Sequence, residues 1–229
     1  MEFFENSVFL GVAISLVAYG GGCLIRKKTK MDIFNPLLIS IIAIIIVLAV
    51  AHIDYDVYYA GAKYLSYLLT PATVCLAIPL YEKIELLKKN WLAIVAGIFS
   101  GVVTTLVCIL VLSILFGLSH EEYVTFLPKS ITTAIGMGVS EELGGYVTIT
   151  VAVIIITGVL GSMIAPLVCR VFRLKDPIAR GIAIGTASHA VGTSKAMEMG
   201  EIEGAMSSLS IVVSGLLTVV GAPIFANFF

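Results

Sequence analysis

"GTASHAVGTSKAMEMG" (residues 185–200) decides how this chain is read. It places a histidine, a lysine and a glutamate among threonines, serines and glycines. Apolar chain lies on both sides, in "VTITVAVIIITGVLGSMIAPLV" (147–168) before it and in residues 204–226 after it. Such a stretch is either a loop or a membrane element built for polar work.

The whole composition favours the membrane. Of 229 residues, 59% are hydrophobic and only 13% are charged, against roughly 25% charged in an ordinary soluble domain. Runs such as "LLISIIAIIIVLAV" (37–50) approach the roughly 20 apolar residues that a bilayer core of about 30 Å requires of a helix. The expected fold is an all-α polytopic membrane protein, a single membrane domain over 1–229. The net charge of −1 says little about partners, and no basic patch interleaved with aromatics suggests nucleic acid. The opening "MEFFEN" is acidic, unlike the positive start of a secretory signal, and reads as the lead into a retained helix. Cys23, Cys75, Cys108 and Cys169 form no CxxC pair and read as small buried hydrophobes rather than metal ligands or disulfides.

Seven apolar segments can be drawn, at 6–25, 36–52, 62–81, 91–117, 147–169, 181–199 and 204–226, with a shorter and more polar one at 124–140. Eleven of the fourteen lysines and arginines fall in three loops: Arg26, Lys27, Lys28 and Lys30; Lys83, Lys88 and Lys89; Arg170, Arg173, Lys175 and Arg180. The excess of positive charge on cytoplasmic loops puts all three inside and the N-terminus outside. The opposite loops are acidic, with Asp54, Asp56, Glu121, Glu122, Glu141, Glu142, Glu201 and Glu203. Segment 91–117 then ends outside and segment 147–169 begins there, so 124–140 must start and finish on the outer side. Its length, Pro128 and weak hydrophobicity suit a re-entrant hairpin lining a cavity; an external loop is the rival.

Ordered by direction, 36–52, 62–81 and 91–117 mirror 147–169, 181–199 and 204–226. The expected architecture is thus an inverted-repeat, secondary-transporter-like bundle: a first repeat over 30–117, a linker with the hairpin over 118–146, and a second repeat over 147–229. The middle member of each triplet is interrupted, "LLTPATVCLAIPLYE" (68–82) in one and the quoted stretch in the other. Paired interruptions of this kind point to a transporter's binding site. A broken helix exposes unpaired N–H groups that attract anions, although Gly, Pro, Ser and Thr also serve close helix packing. The small-residue faces at 97–101 and 162–166 permit such packing within one chain or between chains, so a homo-oligomer stays open.

Three cations fall outside the basic loops. Lys63 lies near a helix end and reads as snorkelling. Lys129 lies in the hairpin and Lys195 in the second interrupted segment, where charge needs a cavity or a partner; both suit a small anion. Glu198, three residues after Lys195, shares its helix face and is positioned to pair with it. His189 reads as a proton carrier, a neutral donor to a carboxylate, or a packing residue. Glu198 is the other proton-coupling candidate. No HExxH, Walker loop, metal-spaced cysteine set or nucleophile elbow is present. The chain is expected to be no enzyme and to need neither cofactor nor metal, and active transport would be secondary.

"LLTPATVCLAIPLYE", "LPKSITTAIG" (127–136) and "KDPIARGIAIGTASHAVGTSKAMEMGEIEGAMSSLSIVVSGLLTVVGAPI" (175–224) together resemble the LrgB/CidB family of bacterial membrane proteins, over nearly the whole chain. Ala134 stands where that family often has proline. The resemblance implies a bacterial inner-membrane location and one of two activities. One is secondary transport of a small monocarboxylate such as pyruvate, glycolate or glycerate. The other is holin- or antiholin-like modulation of murein hydrolase activity and autolysis. It also implies a small LrgA-type membrane protein as partner. The positions that match the family's motifs are Thr70, Pro71, Ala72 and Thr73; Pro128, Lys129, Ser130, Thr132 and Thr133; and Ser188, His189, Gly192, Thr193 and Lys195.

Overall fold

The structure, a computed structural model, describes residues 9–29, 34–75 and 77–229, apart from the side chains at 69, 70, 73 and 80. Among these residues all regular structure is helical. The helices are α1 Leu10–Thr29, α2 Pro36–Ala51, α3 Tyr55–Ser66, α4 Leu69–Cys75, α5 Ala77–Glu82, α6 Ile84–Phe116, α7 His120–Phe126, α8 Thr133–Glu142, α9 Val147–Val171, α10 Pro177–Met199 and α11 Glu201–Ala226. Four of them, α1, α6, α9 and α11, are long and apolar enough to cross a membrane, and α2 is a shorter apolar helix. The chain is an all-α polytopic membrane protein. It divides into two compact units, 1–75 and 76–229. That division cuts the expected first repeat, 30–117, in two.

In the first unit α1 packs on α2 and α3. Gly22 lets α1 touch the backbone of Pro36, where a Cβ would stand 2.7 Å from a carbonyl oxygen. Ser15 Oγ and Tyr58 Oη lie 2.8 Å apart across α1 and α3. Lipid tails are as apolar as leucine, so close approach and polar contacts hold such helices together. The segment expected as one crossing, 62–81, is instead α3, α4 and α5 in succession. Pro71 sits in the first turn of α4, where a missing N–H removes no helical bond.

The second unit is built around α6, α9 and α11, with two hairpins slotted between them. Helices α7 and α8 form the hairpin that the sequence predicts at 124–140. Thr150 Oγ1, near the start of α9, lies 3.0 Å from Thr125 O and 2.7 Å from Ser140 Oγ, so it touches both limbs. Gly136, nearer the turn, packs on Ile154.

Helix α10 is the second hairpin, and here the structure departs from the expected crossing. His189 has φ 42° and ψ −140°, and the chain reverses on that single residue. Ile184 and Ala196 lie in one cluster with Ala165; in a straight helix they would be about 18 Å apart. Both limbs touch the same turn of α11. A Cβ on Gly181 would meet Glu203 and Met206, and one on Gly204 would meet Met197. Residues 181–199 therefore enter and leave at one end, and α11 runs parallel to α6 rather than back across.

The charges confirm this. Lys83 Nζ lies 2.9 Å from Glu201 Oε2, and Arg180 Nη1 lies 3.6 Å from the buried Glu203 Oε1. Glu201 and Glu203 thus share the basic end of the unit instead of facing the acidic loops. Glu121 remains at the other end, where its carboxylate accepts from Tyr146 Oη at 2.6 Å. The Lys83–Glu201 contact is an exposed ion pair. Such surface pairs contribute little stability; this one serves as a marker of sidedness. The small-residue faces at 97–101 and 162–166 pack within the chain, Gly101 against Thr186 and Ala165 against Ile184. Cys169 is buried as expected, whereas Cys23, Cys75 and Cys108 are exposed on their helices.

Single cysteines at Lys88, Arg173 and Glu201, in a chain freed of its native cysteines, should all react with an impermeant thiol reagent from one side of sealed vesicles. A cysteine at Glu142 should react from the other. Glu201→Cys reacting on the Glu142 side would restore α10 as a crossing.

Candidate functional site

Each hairpin turns near the middle of α9. His189 Nε2 is 3.0 Å from Ile154 O. A carbonyl only accepts, so the bond requires the proton on Nε2. The ring lies over Gly158, where a Cβ would stand 2.6 Å from Cε1, and Ser188 lies over Gly161. The two glycines form a notch that receives the tip of α10. Thr193 Oγ1 donates to His189 O at 2.9 Å and lies 2.7 Å from Ser207 Oγ on α11. A positive φ on a residue other than glycine costs about 1–3 kcal/mol unless its surroundings hold it. The Ile154 and Thr193 contacts are that support.

The other tip follows from its caps. Ser119 opens α7 with a capping box: its Oγ accepts from Glu122 N at 3.3 Å, and its N–H donates to Glu122 Oε2 at 2.7 Å. Pro128 lies just beyond α7 and cannot continue it. Lys129 N donates to Phe126 O at 3.1 Å and Ile131 N to Pro128 O at 3.3 Å, so the turn satisfies backbone carbonyls at the tip. Lys129 is half-buried, with Nζ 3.1 Å from Ser130 Oγ. Among the described residues no carboxylate stands within ion-pair distance of Lys129.

Between the first tip and helices α6, α10 and α11 is a void of about 10 Å³, lined by Thr105, Ser130, Thr186, Ser214 and Thr218 among Val102, Leu106, Leu127 and Ile131. That is room for about one water. Thr105 donates to Gly101 O at 3.0 Å and Ser214 to Ile211 O at 3.3 Å, while Thr186 donates to Ile182 O. With their protons so engaged, these hydroxyls turn lone pairs to the space.

The structure thus brings Lys129, Ser130, Ser188, His189 and Thr193 to the central region. Gly192 lets the limbs of α10 meet, since a Cβ there would stand 2.5 Å from that of Ser188. Thr132 and Thr133 start α8 and are half-buried. Lys195 is six residues down the returning limb, about 9 Å from the turn, and pairs with Glu198 at 3.3 Å as its spacing predicts. Pro71 and Ala72 belong to the first unit and are exposed; the side chains of Thr70 and Thr73 lie outside the described residues. Sequence reasoning left Ser214, Thr218, Thr105 and the Gly158–Gly161 notch unassigned. The signal was the run of hydroxyls at 207, 210, 214 and 218, three or four apart on one face of α11.

His189→Leu should destabilise the detergent-solubilised protein by about 1–3 kcal/mol, because it strands the Ile154 carbonyl. His189→Gln keeps a donor and should recover part of that loss. Thermal unfolding reads both; an unchanged midpoint for the leucine variant would show that the bond does not hold the tip.

A profile of the LrgB-like family matches residues 15–228. Proteins called "Antiholin-like protein LrgB" in Bacillus mycoides (strain KBAB4) and Bacillus cereus (strain B4264) are each 38% identical over 221 residues, 96% of this chain and 96% of theirs. No solved structure gives a significant match. A match of this length, including both hairpins and the helices that hold them, identifies the chain as a member of the LrgB-like family.

Proposed function

We propose that this protein is a secondary carrier of a small monocarboxylate, of the size of pyruvate, glycolate or glycerate. The observation that carries the reading is Lys129. An ammonium group at membrane depth is costly without a partner, and this one has a serine hydroxyl but no carboxylate among the described residues. A substrate carboxylate supplies the missing charge. Helix α8 and the returning limb of α10 both start at the tips, so their unpaired N–H groups add positive potential there. Movement of one hairpin against its supporting helices then exposes the centre to one end and afterwards to the other. His189, at the turn of α10, is the candidate for coupling to protons. Glu198 is the second candidate, through its pair with Lys195. A small LrgA-type membrane protein is the proposed partner, and the bacterial inner membrane, with the basic end inside, the proposed location.

The relatives' own name favours a second reading: an antiholin-like protein that modulates murein hydrolases and autolysis. The comparisons speak for that reading, whereas a half-buried cation without a carboxylate among the described residues speaks for the carrier. A lytic regulator has no evident need for two turns meeting around a charge at membrane depth.

Purified protein in liposomes, with and without the LrgA-type partner, separates the two. The carrier predicts saturable uptake of labelled pyruvate or glycolate. Lys129→Ala should lower it at least tenfold, Lys129→Arg should keep part, and Lys63→Ala should leave it unchanged. Dye-sized leakage without saturable uptake would sink the carrier and support the lytic reading. A pH profile of uptake that is identical in His189→Gln would remove the histidine from coupling.

A further inference from the structure

A groove of about 660 Å³ runs along the second unit between α6 and the first limb of α10. Its α6 wall is Asn90, Ala93, Gly97, Ser100, Gly101, Thr104 and Thr105, all small or polar in a helix otherwise rich in Leu, Ile and Val. Its deep end is Thr105 and Thr186, and these same two residues line the void beside the first hairpin's tip at Ser130. Groove and void are therefore separated by two hydroxyl-bearing side chains. The volume is within the range of small-molecule sites, about 300–1,000 Å³, and a pyruvate-sized anion would fill a fraction of it.

We infer that this groove is the aqueous route by which a small carboxylate anion passes between the basic end of the protein and Lys129, with Thr105 and Thr186 as its throat. The inference rests on the carrier reading and gives that reading a path.

Charge favours an anion at the mouth. Lys88 and Lys89 precede Asn90, and Lys175 precedes Asp176; fixed positive charge of this kind concentrates anions locally. The one carboxylate on the groove, Asp176, caps α10, its Oδ1 accepting from Ala179 N at 2.9 Å. The positive helix end offsets its charge. Along the wall, Ser100 and Thr104 are exposed to the groove side by side with Ala183 and Ala187. Deeper in, Thr186 is buried against Gly101, where an added Cβ would stand 3.3 Å from it. The path thus narrows from solvent-facing hydroxyls to a contact that a threonine rotation or a small shift of α10 would open.

The test uses single cysteines in a full chain freed of its four native cysteines, reconstituted in liposomes. Ser100→Cys and Thr104→Cys sit in the groove; Val95→Cys and Phe99→Cys sit on the opposite, exposed side of α6, and Lys88→Cys marks the basic side. The inference expects an impermeant anionic methanethiosulfonate, applied from the side that labels Lys88→Cys, to reach Ser100→Cys and Thr104→Cys but neither Val95→Cys nor Phe99→Cys. Pyruvate or glycolate should slow labelling at Thr104→Cys several-fold. Thr186→Val, which keeps the shape and removes the hydroxyl, should reduce uptake while leaving the labelling of Ser100→Cys intact. Labelling by a lipid-soluble maleimide alone, or from the opposite side, would overturn the route; if uptake persisted, the carrier reading would stand with a different path. A labelled groove in protein that takes up no carboxylate under any condition would overturn the carrier, and with it the cargo assigned to the groove.

Discussion

A backbone that reverses direction inside a bilayer must find partners for the peptide groups it frees, because hydrocarbon offers none. Each unpaired group costs several kcal/mol there. The arrangement of residues 76–229 follows from that constraint. The two turns, at Pro128–Thr132 and at His189, are kept from lipid by α6, α9 and α11. Their loose ends are tied by nearby side chains: Thr150 bridges the limbs of the α7–α8 hairpin, and Thr193 and Ile154 fix the α10 turn. Serines and threonines, ordinarily poor choices for a packed core, are the means by which irregular backbone survives at this depth.

The same constraint explains the glycines that matter most. Gly158 and Gly161 open α9 for the His189 ring and Ser188, and Gly181 and Gly185 bring α10 onto α11. None adds appreciable apolar contact. They let polar backbone and polar side chains come within bonding distance, which in lipid is worth more than extra hydrocarbon surface. The two hairpins enter from opposite ends and are each followed by a long helix, α9 and α11.

Much of this was legible in the residues themselves. The apolar runs gave α1, α2, α6, α9 and α11, and the basic loops placed Lys83, Arg170 and Arg180 at one end. Weak hydrophobicity with a central proline marked the first hairpin. The second was misread as a crossing for a physical reason. Residues 181–199 have the length of a span, and their turn is made by a histidine with positive φ, a position that sequence rules reserve for glycine or asparagine. Glu201 and Glu203 were then assigned to the wrong end, since acidic residues carry little topological information. Nor could spacing reveal the Thr105–Thr186–Ser214–Thr218 cluster, which joins α6 to the consecutive helices α10 and α11. Lys129 and His189 were found because a charge and an imidazole within apolar chain are conspicuous, whatever the fold around them.

The polarity of α10 has a consequence for how the protein is made. With Lys195, Glu198 and its row of hydroxyls, this segment partitions poorly into lipid by itself. Its glycine face requires α11, which is synthesised after it. The α10 hairpin can therefore seat only once α11 is in place, and a chain cut short before α11 would leave both limbs without the surface that Gly181 and Gly185 fit.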